Sequence, residues 1–292
     1  MFPQLKTTFR SAAVLVALSV TSQAALVTGL VNYWNFNKDL GDSAHGLAGG
    51  SSTKADNGTF AGANGTNGVN FGAALFAGGI ALDGAAGAKQ NNGYVNITRS
   101  ADTLFGAGGS KLTTSMWVTV AGNDQDWQTA LSHGEGAQYR FARRGNSTTF
   151  AAYAGGAGDI GSSAVGTTVD LDVGGWHHIV GVSDGVGGTR LWVDGALDAT
   201  GAAASAIDDA RGGGLLNLHI GGNPDTSAQN REWWGSIDDV AQWNRALSEA
   251  EIKQIWGGGQ ATAKELRLLI PEPATGLLSV LGLGMMLRRR RR

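Results

Sequence analysis

The chain of 292 residues contains no cysteine, which excludes a disulfide framework, thiol catalysis and any multi-thiolate metal site. Proline is scarce at 4 residues, whereas glycine supplies 47. With the many Asn, Asp, Ser and Thr between short apolar runs, the glycines make a composition of many turns. Long apolar runs are missing as well. Ala12–Val20 and Ala274–Leu287 both fall short of the roughly 20 residues a helix needs to span a bilayer. Positive charge is sparse in the body of the chain. Setting aside Lys6, Arg10 and Arg288–Arg292 among the 22 basic residues, and Glu272 among the 24 acidic ones, leaves residues 25–270 at about −8. That balance argues against nucleic acid as a partner. It suits divalent cations, and it also simply keeps a surface soluble.

Both ends depart from the body. Lys6 and Arg10 flank the start of the apolar run Ala12–Val20, and Ser22-Gln23-Ala24 offers a small-x-small cleavage site; residues 1–24 read as a secretory signal. At the other end Pro271-Glu272-Pro273 precedes the apolar or small residues Ala274–Leu287 and then Arg288–Arg292. This tail, residues 271–292, resembles the PEP-CTERM sorting signal of Gram-negative bacteria. The resemblance implies a secreted or cell-surface protein, an exosortase-type sorting enzyme as partner, and transient membrane contact through the C-terminal segment. The physics agrees, because arginines hold the end of a short apolar helix on the cytoplasmic side.

Between the ends, short runs with period-two alternation are separated by turn clusters, the spacing of a β-sandwich. Strands are expected at Ala25–Phe36, Ala74–Leu82, Tyr94–Ile97, Leu112–Val120, Trp127–His133, Gln138–Arg143, Thr148–Tyr153, Trp176–Ser183, Arg190–Val193, Leu215–Ile220 and Ser236–Trp243. Residues 37–70 read as one long polar connection. Ser248-Glu249-Ala250-Glu251 is a capping box that predicts one short helix over Glu249–Trp256, stopped by Gly257-Gly258-Gly259. The folded unit is expected to span residues 25–258, followed by a linker over 259–270.

The centre of this pattern is Gly174–Leu197. In it Trp176, His178, Val180 and Val182 alternate with His177, Ile179, Gly181 and Ser183, and Leu191-Trp192-Val193 leads into the hairpin turn Asp194-Gly195. Together with Tyr33-Trp34-Asn35-Phe36, Ile80-Ala81-Leu82-Asp83-Gly84, Leu112–Val120, Gly235-Ser236-Ile237-Asp238-Asp239-Val240 and Asn244-Arg245-Ala246-Leu247-Ser248, it resembles the LamG-like jelly-roll family of the concanavalin A-like lectin/glucanase superfamily. The resemblance implies an all-β jelly-roll sandwich of two antiparallel sheets with one short C-terminal helix. It also implies a structural Ca²⁺ tying the N-terminal region to the last strand, for which Asp42 and Asp238 are the expected ligands.

The superfamily includes glycoside hydrolases, so catalysis is the first chemistry to weigh. Retaining glycosidases need two carboxylates about 5–5.5 Å apart, and laminarinase-like relatives carry them in an E-x-D-x-x-E or E-x-D-x-E strand. Glu135, Glu232, Glu249, Glu251 and Glu265 sit in no such pattern. Asp238 and Asp239, as strand neighbours, are expected to point to opposite faces, and so are His177 and His178. The chain therefore reads as non-catalytic, a module that binds extracellular polysaccharide or a surface protein. A structural matrix or adhesion role is the alternative, and a glycosidase relative a distant third. Sugar binding calls for aromatic faces and polar groups beside loops: Trp127, Tyr153, Trp233 and Trp234, with Arg140, and with Tyr139 and Asn230 nearby. Of the adjacent pair Trp233-Trp234, one is expected to be exposed.

Overall fold

The computed structural model describes residues 25–62, 69–72, 74–83, 93–105, 111–122, 125–134, 138–143, 145, 153–155, 170–171, 175–185, 188–201, 216–225 and 231–270. The expected signal and sorting segments, Glu135 and Asn230 lie outside them.

The strands form two antiparallel sheets. The eight-stranded sheet runs β12 (Ala196–Gly201), β11 (Thr189–Val193), β10 (His177–Asp184), β6 (Lys111–Val118), β14 (Trp234–Trp243), β4 (Gly79–Asp83) and β3 (Val69–Gly72), with β1 (Leu30–Trp34) also paired to β14. The six-stranded sheet runs β2 (Gly58–Gly62), β5 (Gly93–Ile97), β13 (Leu218–Ile220), β7 (Thr129–Ser132), β8 (Tyr139–Ala142) and β9 (Tyr153–Gly155). This is the jelly-roll sandwich of two antiparallel sheets that the family resemblance implies.

Alternation decides what lies between the sheets. Leu112, Met116, Val118, Ile179, Leu191, Ile237 and Val240 of the eight-stranded sheet meet Val95, Ile97, Leu131, Phe141, Leu218 and Ile220 of the other in the main core. The opposite face of the eight-stranded sheet is also buried. Val180, Val182, Trp192, Ala241 and Trp243 pack there in a second core under Leu26, Val27 and Leu30, the helix α1 (Glu249–Trp256) and the short α2 (Leu266–Leu269). Both faces of β10 are thus apolar or hydrogen-bonded, as expected for a central strand covered on two sides.

The helix forms as the sequence predicts. Ser248 Oγ accepts from the Glu251 amide, Glu251 Oε2 accepts from the Ser248 amide, and Gly257 closes the helix at φ 67 with its N–H on the Lys253 carbonyl. Ile252 and Ile255 point down into the second core.

Four expectations change. Ala25–Val27 is a helical turn, and the first strand is confined to Leu30–Trp34. The stretch 37–70 contains β2 and the start of β3, whose Gly-rich sequences carried little strand signal. Residues 265–270, read as part of a linker, dock: Leu266 is fully buried and Ile270 nearly so, because Leu266, Leu269 and Ile270 complete the second core. Finally, β14 carries a bulge after Asp238, with Asp239 at φ 53. The extra residue breaks strict alternation, so Asp238 and Asp239 do not diverge to opposite faces; both lie within electrostatic reach of Glu265.

Candidate functional site

The second core covers the outer face of one sheet, and the outer face of the six-stranded sheet carries the polar and aromatic side chains. Its core-facing residues Val95, Ile220, Leu131 and Phe141 alternate with an outward row: Thr59 pairs with Asn96, Asn96 with His219, His219 with Ser132, and Ser132 with Arg140. Tyr94, one alternation from Asn96, stacks on His219 with ring centroids 3.9 Å apart and planes at 20°. Gly222 lies against this stack; a Cβ there would sit 3.1 Å from Tyr94 Cβ. Asn217 Nδ2 donates to Asn96 Oδ1 at 3.0 Å. Two strands from His219, the Arg140 guanidinium lies 4.9 Å from the Trp127 ring centroid, a cation–π arrangement. Neighbouring strands are about 4.8 Å apart, so the backbones of His219 and Arg140, two strands apart, stand about 10 Å from each other across the sheet.

Trp127 reaches this position through its backbone. At φ 60 it turns the chain into β7, its N–H donates to the Gly145 carbonyl at 3.1 Å, and its indole stays half-buried above an Arg140 that is almost wholly enclosed. The row is electrically quiet at its histidine end. Burial, and then the nearby His133, lower the His219 pKa to about 3. Burial likewise lowers His133 to about 4, against the opposing hydrogen bond that Gln138 Oε1 accepts from its ring. Both rings are neutral at physiological pH. Tyr94 is raised by burial and by the Glu232 carboxylate.

The expected ligand residues therefore separate. Trp127 and Arg140 come together. Tyr153 lies in β9, its backbone opposite Phe141. Trp233 is corrected: at 1% exposure it belongs to the main core, with Nε1 donating to the Thr119 carbonyl at 3.0 Å. Trp234, half-buried, lies in the other sheet opposite Asp83 with its ring against Gly122. Of the adjacent pair, Trp234 is the more open. Tyr139 is wholly buried, its hydroxyl donating to the Thr103 carbonyl and accepting from Gln242. Sequence reasoning missed Tyr94, Asn96 and His219. Their signal is that each stands between apolar residues in a short strand, and so on the face opposite the core.

Asp42 and Asp238, the expected calcium pair, are each held by backbone amides. Asp42 Oδ1 accepts from the Tyr33 and Ala44 amides and Oδ2 from the Asp56 amide, so neutral donors already occupy both oxygens. Asp238 Oδ2 accepts from the Leu75 and Phe76 amides. Its Oδ1 is buried without a hydrogen bond, and burial pushes the carboxyl up to about 7. Among the described residues no group of three or more His, Asp or Glu side chains is placed to hold a metal ion.

The histidine pair has structural work. His177 Nδ1 lies 2.8 Å from Asp194 Oδ2, Asp194 Oδ1 accepts from the His178 amide at 2.9 Å, and the Asp194 amide donates to the His178 carbonyl. These bonds join the Trp-His-His strand to the Val-Asp-Gly turn, with Asp194 and Gly195 both at positive φ. His178 Nε2 lies 2.8 Å from Ser115 Oγ, a contact that resembles a catalytic dyad. Both residues are at most 1% exposed, however, and the Asp194 carboxylate engages the His178 backbone rather than its ring. No substrate can reach this serine.

Comparison with known proteins bears on the whole arrangement. Domain 4 of AbnA, a GH43 extracellular arabinanase from Geobacillus stearothermophilus solved in complex with arabinotriose, matches with a TM-score of 0.54 at 15% identity, over 77% of this chain and 97% of that one. The binding domain of Paraclostridial Mosquitocidal Protein 1 matches at 0.57 and 13%, over 78% of this chain and 52% of that one. The binding domain of Botulinum Neurotoxin DC, in complex with SialylT, matches at 0.55 and 10%, over 78% and 51%. The chain thus spans about half the length of the two toxin domains. At these identities the likeness is one of fold. No curated protein matches the sequence. The Laminin_G_3 family model matches residues 89–253, more than half of the chain, and the protein belongs to that family of the Concanavalin A-like lectin/glucanases superfamily.

Proposed function

We propose that this protein is a non-catalytic, exported module that binds extracellular polysaccharide, or a glycan-bearing surface protein, through the outer face of its six-stranded sheet. The observation that carries the reading is the pair of aromatic stations, Tyr94 on His219 and Trp127 on Arg140, on the sheet face the second core leaves uncovered. Aromatic faces bury the apolar faces of pyranose rings. Asn96 and Asn217 beside the Tyr94–His219 station offer hydrogen-bond donors and acceptors for hydroxyls. The spacing of the stations suits a short stretch of chain rather than a single sugar. A neutral His219 fits a neutral hydroxylated ligand, because no charge has to be desolvated on binding.

Two observations favour binding over catalysis. Asp238 and Asp239, the adjacent carboxylates, are both buried, and Asp239 is bonded to the Tyr33 hydroxyl and the Leu266 amide. Glu249 and Glu251 are spent on the helix start, pairing with Lys253 and with Arg245 and Ser248. The fold neighbours support the same side: one was solved with arabinotriose, and two are binding domains of toxins.

The test is a glycan array followed by titration calorimetry on the hits. Tyr94→Ala and Trp127→Ala are expected to weaken binding about tenfold each, equivalent to about 1.4 kcal/mol, while Trp234→Ala leaves it unchanged. Binding abolished by Trp234→Ala alone would move the site to the other sheet. A folded protein that binds no glycan would return the reading to a structural matrix role.

A further inference from the structure

Two side-chain amides on the outer face of the six-stranded sheet take their orientation from the backbone. The Arg99 N–H can only donate, so the atom it meets at 3.1 Å is Asn217 Oδ1. Asn217 therefore turns its Nδ2 to Asn96, donating to Asn96 Oδ1 at 3.0 Å. This relay occupies the acceptor of the Asn96 amide. Its Nδ2, which can only donate, has no partner among the described residues.

The donor so fixed belongs to an aromatic station. His219 lies directly opposite Asn96 in the register of β5 with β13, and Tyr94, two residues from Asn96 on the same side of β5, stacks on the His219 ring at 3.9 Å. His219 is only 8% exposed, and its Nδ1 is buried with no hydrogen bond. Tyr94 is half-buried and so is the more open of the two rings. With His219 against its ring and Gly222 against its Cβ, Tyr94 is preset. A preset ring and a preset amide lose little freedom when a ligand binds.

The chemistry of this pair narrows what it accepts. A ligand group here must accept from Asn96 Nδ2 and carry an apolar portion for the tyrosine. A carboxylate accepts, but the Glu232 charge already acts on Tyr94, and residues 25–270 carry about −8. A hydroxyl both donates and accepts, so it suits either orientation of an amide and gains nothing from a fixed one. An acetamido carbonyl only accepts, is uncharged, and brings a methyl group for the ring face.

We propose that the Tyr94–His219 station recognises the acetamido group of an N-acetylated hexosamine, with Asn96 Nδ2 donating to its carbonyl and Asn217 as the positioning residue that holds Asn96 in that orientation. This role for Asn96 rests on the outer-face binding reading and narrows its ligand class.

The test compares the β-1,4-linked tetramers of N-acetylglucosamine and of glucose, which differ only in the acetamido groups, by titration calorimetry on the full chain. The acetylated tetramer is expected to bind about tenfold more tightly. Asn96→Asp replaces the donor by an acceptor. Asn217→Asp still accepts from the Arg99 amide but draws Asn96 Nδ2 to itself, turning Asn96 Oδ1 toward the ligand. Each is expected to abolish the preference, a ratio of two affinities that a merely structural role would not move; melting transitions establish that the variants fold. Equal affinities in the wild type, a tighter glucose tetramer, or a preference retained in either folded variant would overturn the assignment. If neither tetramer binds while other glycans on the array do, the acetamido role falls and the outer-face reading stands. If no glycan binds at all, both fall.

Discussion

Asp194 shows how much one side chain can organise. Its two oxygens serve the His177 ring and the His178 amide, while its own positive φ makes the turn between β11 and β12. Asp194→Ala is expected to cost about 1–3 kcal/mol by urea denaturation, the lower half of the range reflecting solvent screening of a carboxylate that is partly exposed. The pH dependence has a definite sign. Its hydrogen bonds to His177 and the His178 amide outweigh burial and hold the Asp194 pKa below the ordinary value. Its contribution is therefore fully present above the unfolded carboxylate pKa of about 3.9 and is lost as pH falls below it. The stability difference between the wild type and Asp194→Asn is expected to hold at pH 5 and to narrow below about pH 4. On the proposed binding face, burial holds His219 neutral well below pH 5, with a pKa of about 3. Glycan affinity is expected to be flat between pH 5 and 8, and an inflection near 6.5 would contradict the burial of that ring.

At the scale of elements, the C-terminal layer is the part whose loss has the largest expected effect. The capping box of α1 joins Ser248 to Glu251, and Glu251 to Arg245, which in turn holds the carbonyls of Ala25 and Thr28 ahead of β1. Ser248→Ala is expected to cost about 1 kcal/mol, as a lost N-cap does, measured by chemical denaturation. Leu266→Asp is expected to cost several kcal/mol, because it places an unpaired charge among Tyr33, Trp243 and Ile252 beside a carboxylate already held by Tyr33 and the Leu266 amide. If thermal melting of that variant matched the wild type, the docking of residues 265–270 would be wrong. The helix was legible because its cap, acidic first turn and closing glycines are local signals. The docking of 265–270 was not, since Leu266 and Ile270 gain a partner only once Tyr33, Ala241 and Trp243 share a face.

At the scale of the whole molecule, the sandwich divides its labour by side. One outer face is covered by residues 26–30 and the layer of α1 and α2, and the other carries the half-buried Tyr94, Asn96 and Trp127. Trp127 and Arg140 were legible as candidates because tryptophan and arginine beside turns are costly to bury unpaired. Trp127 and Arg140 meet across the local pairing of β7 with β8, whereas the stacking of Tyr94 on His219 depends on the pairing of β5 with β13, whose residues lie more than a hundred positions apart, and Trp233 instead fills the core.

The sequence by itself determined the elements and their class. Period-two alternation, turn chemistry at Asp194-Gly195 and the cap at Ser248 act over a few residues, and they specify strands, a hairpin and one helix wherever the chain goes next. The tertiary structure alone decided the bulge that sets Asp238 and Asp239 near Glu265, the occupation of Asp42 by three amides, and the choice of Tyr94–His219 over Trp233 as an aromatic station. The reason is physical: a side chain's partners across a sheet depend on register and on which face is covered, and both are fixed only when distant strands close on a common core.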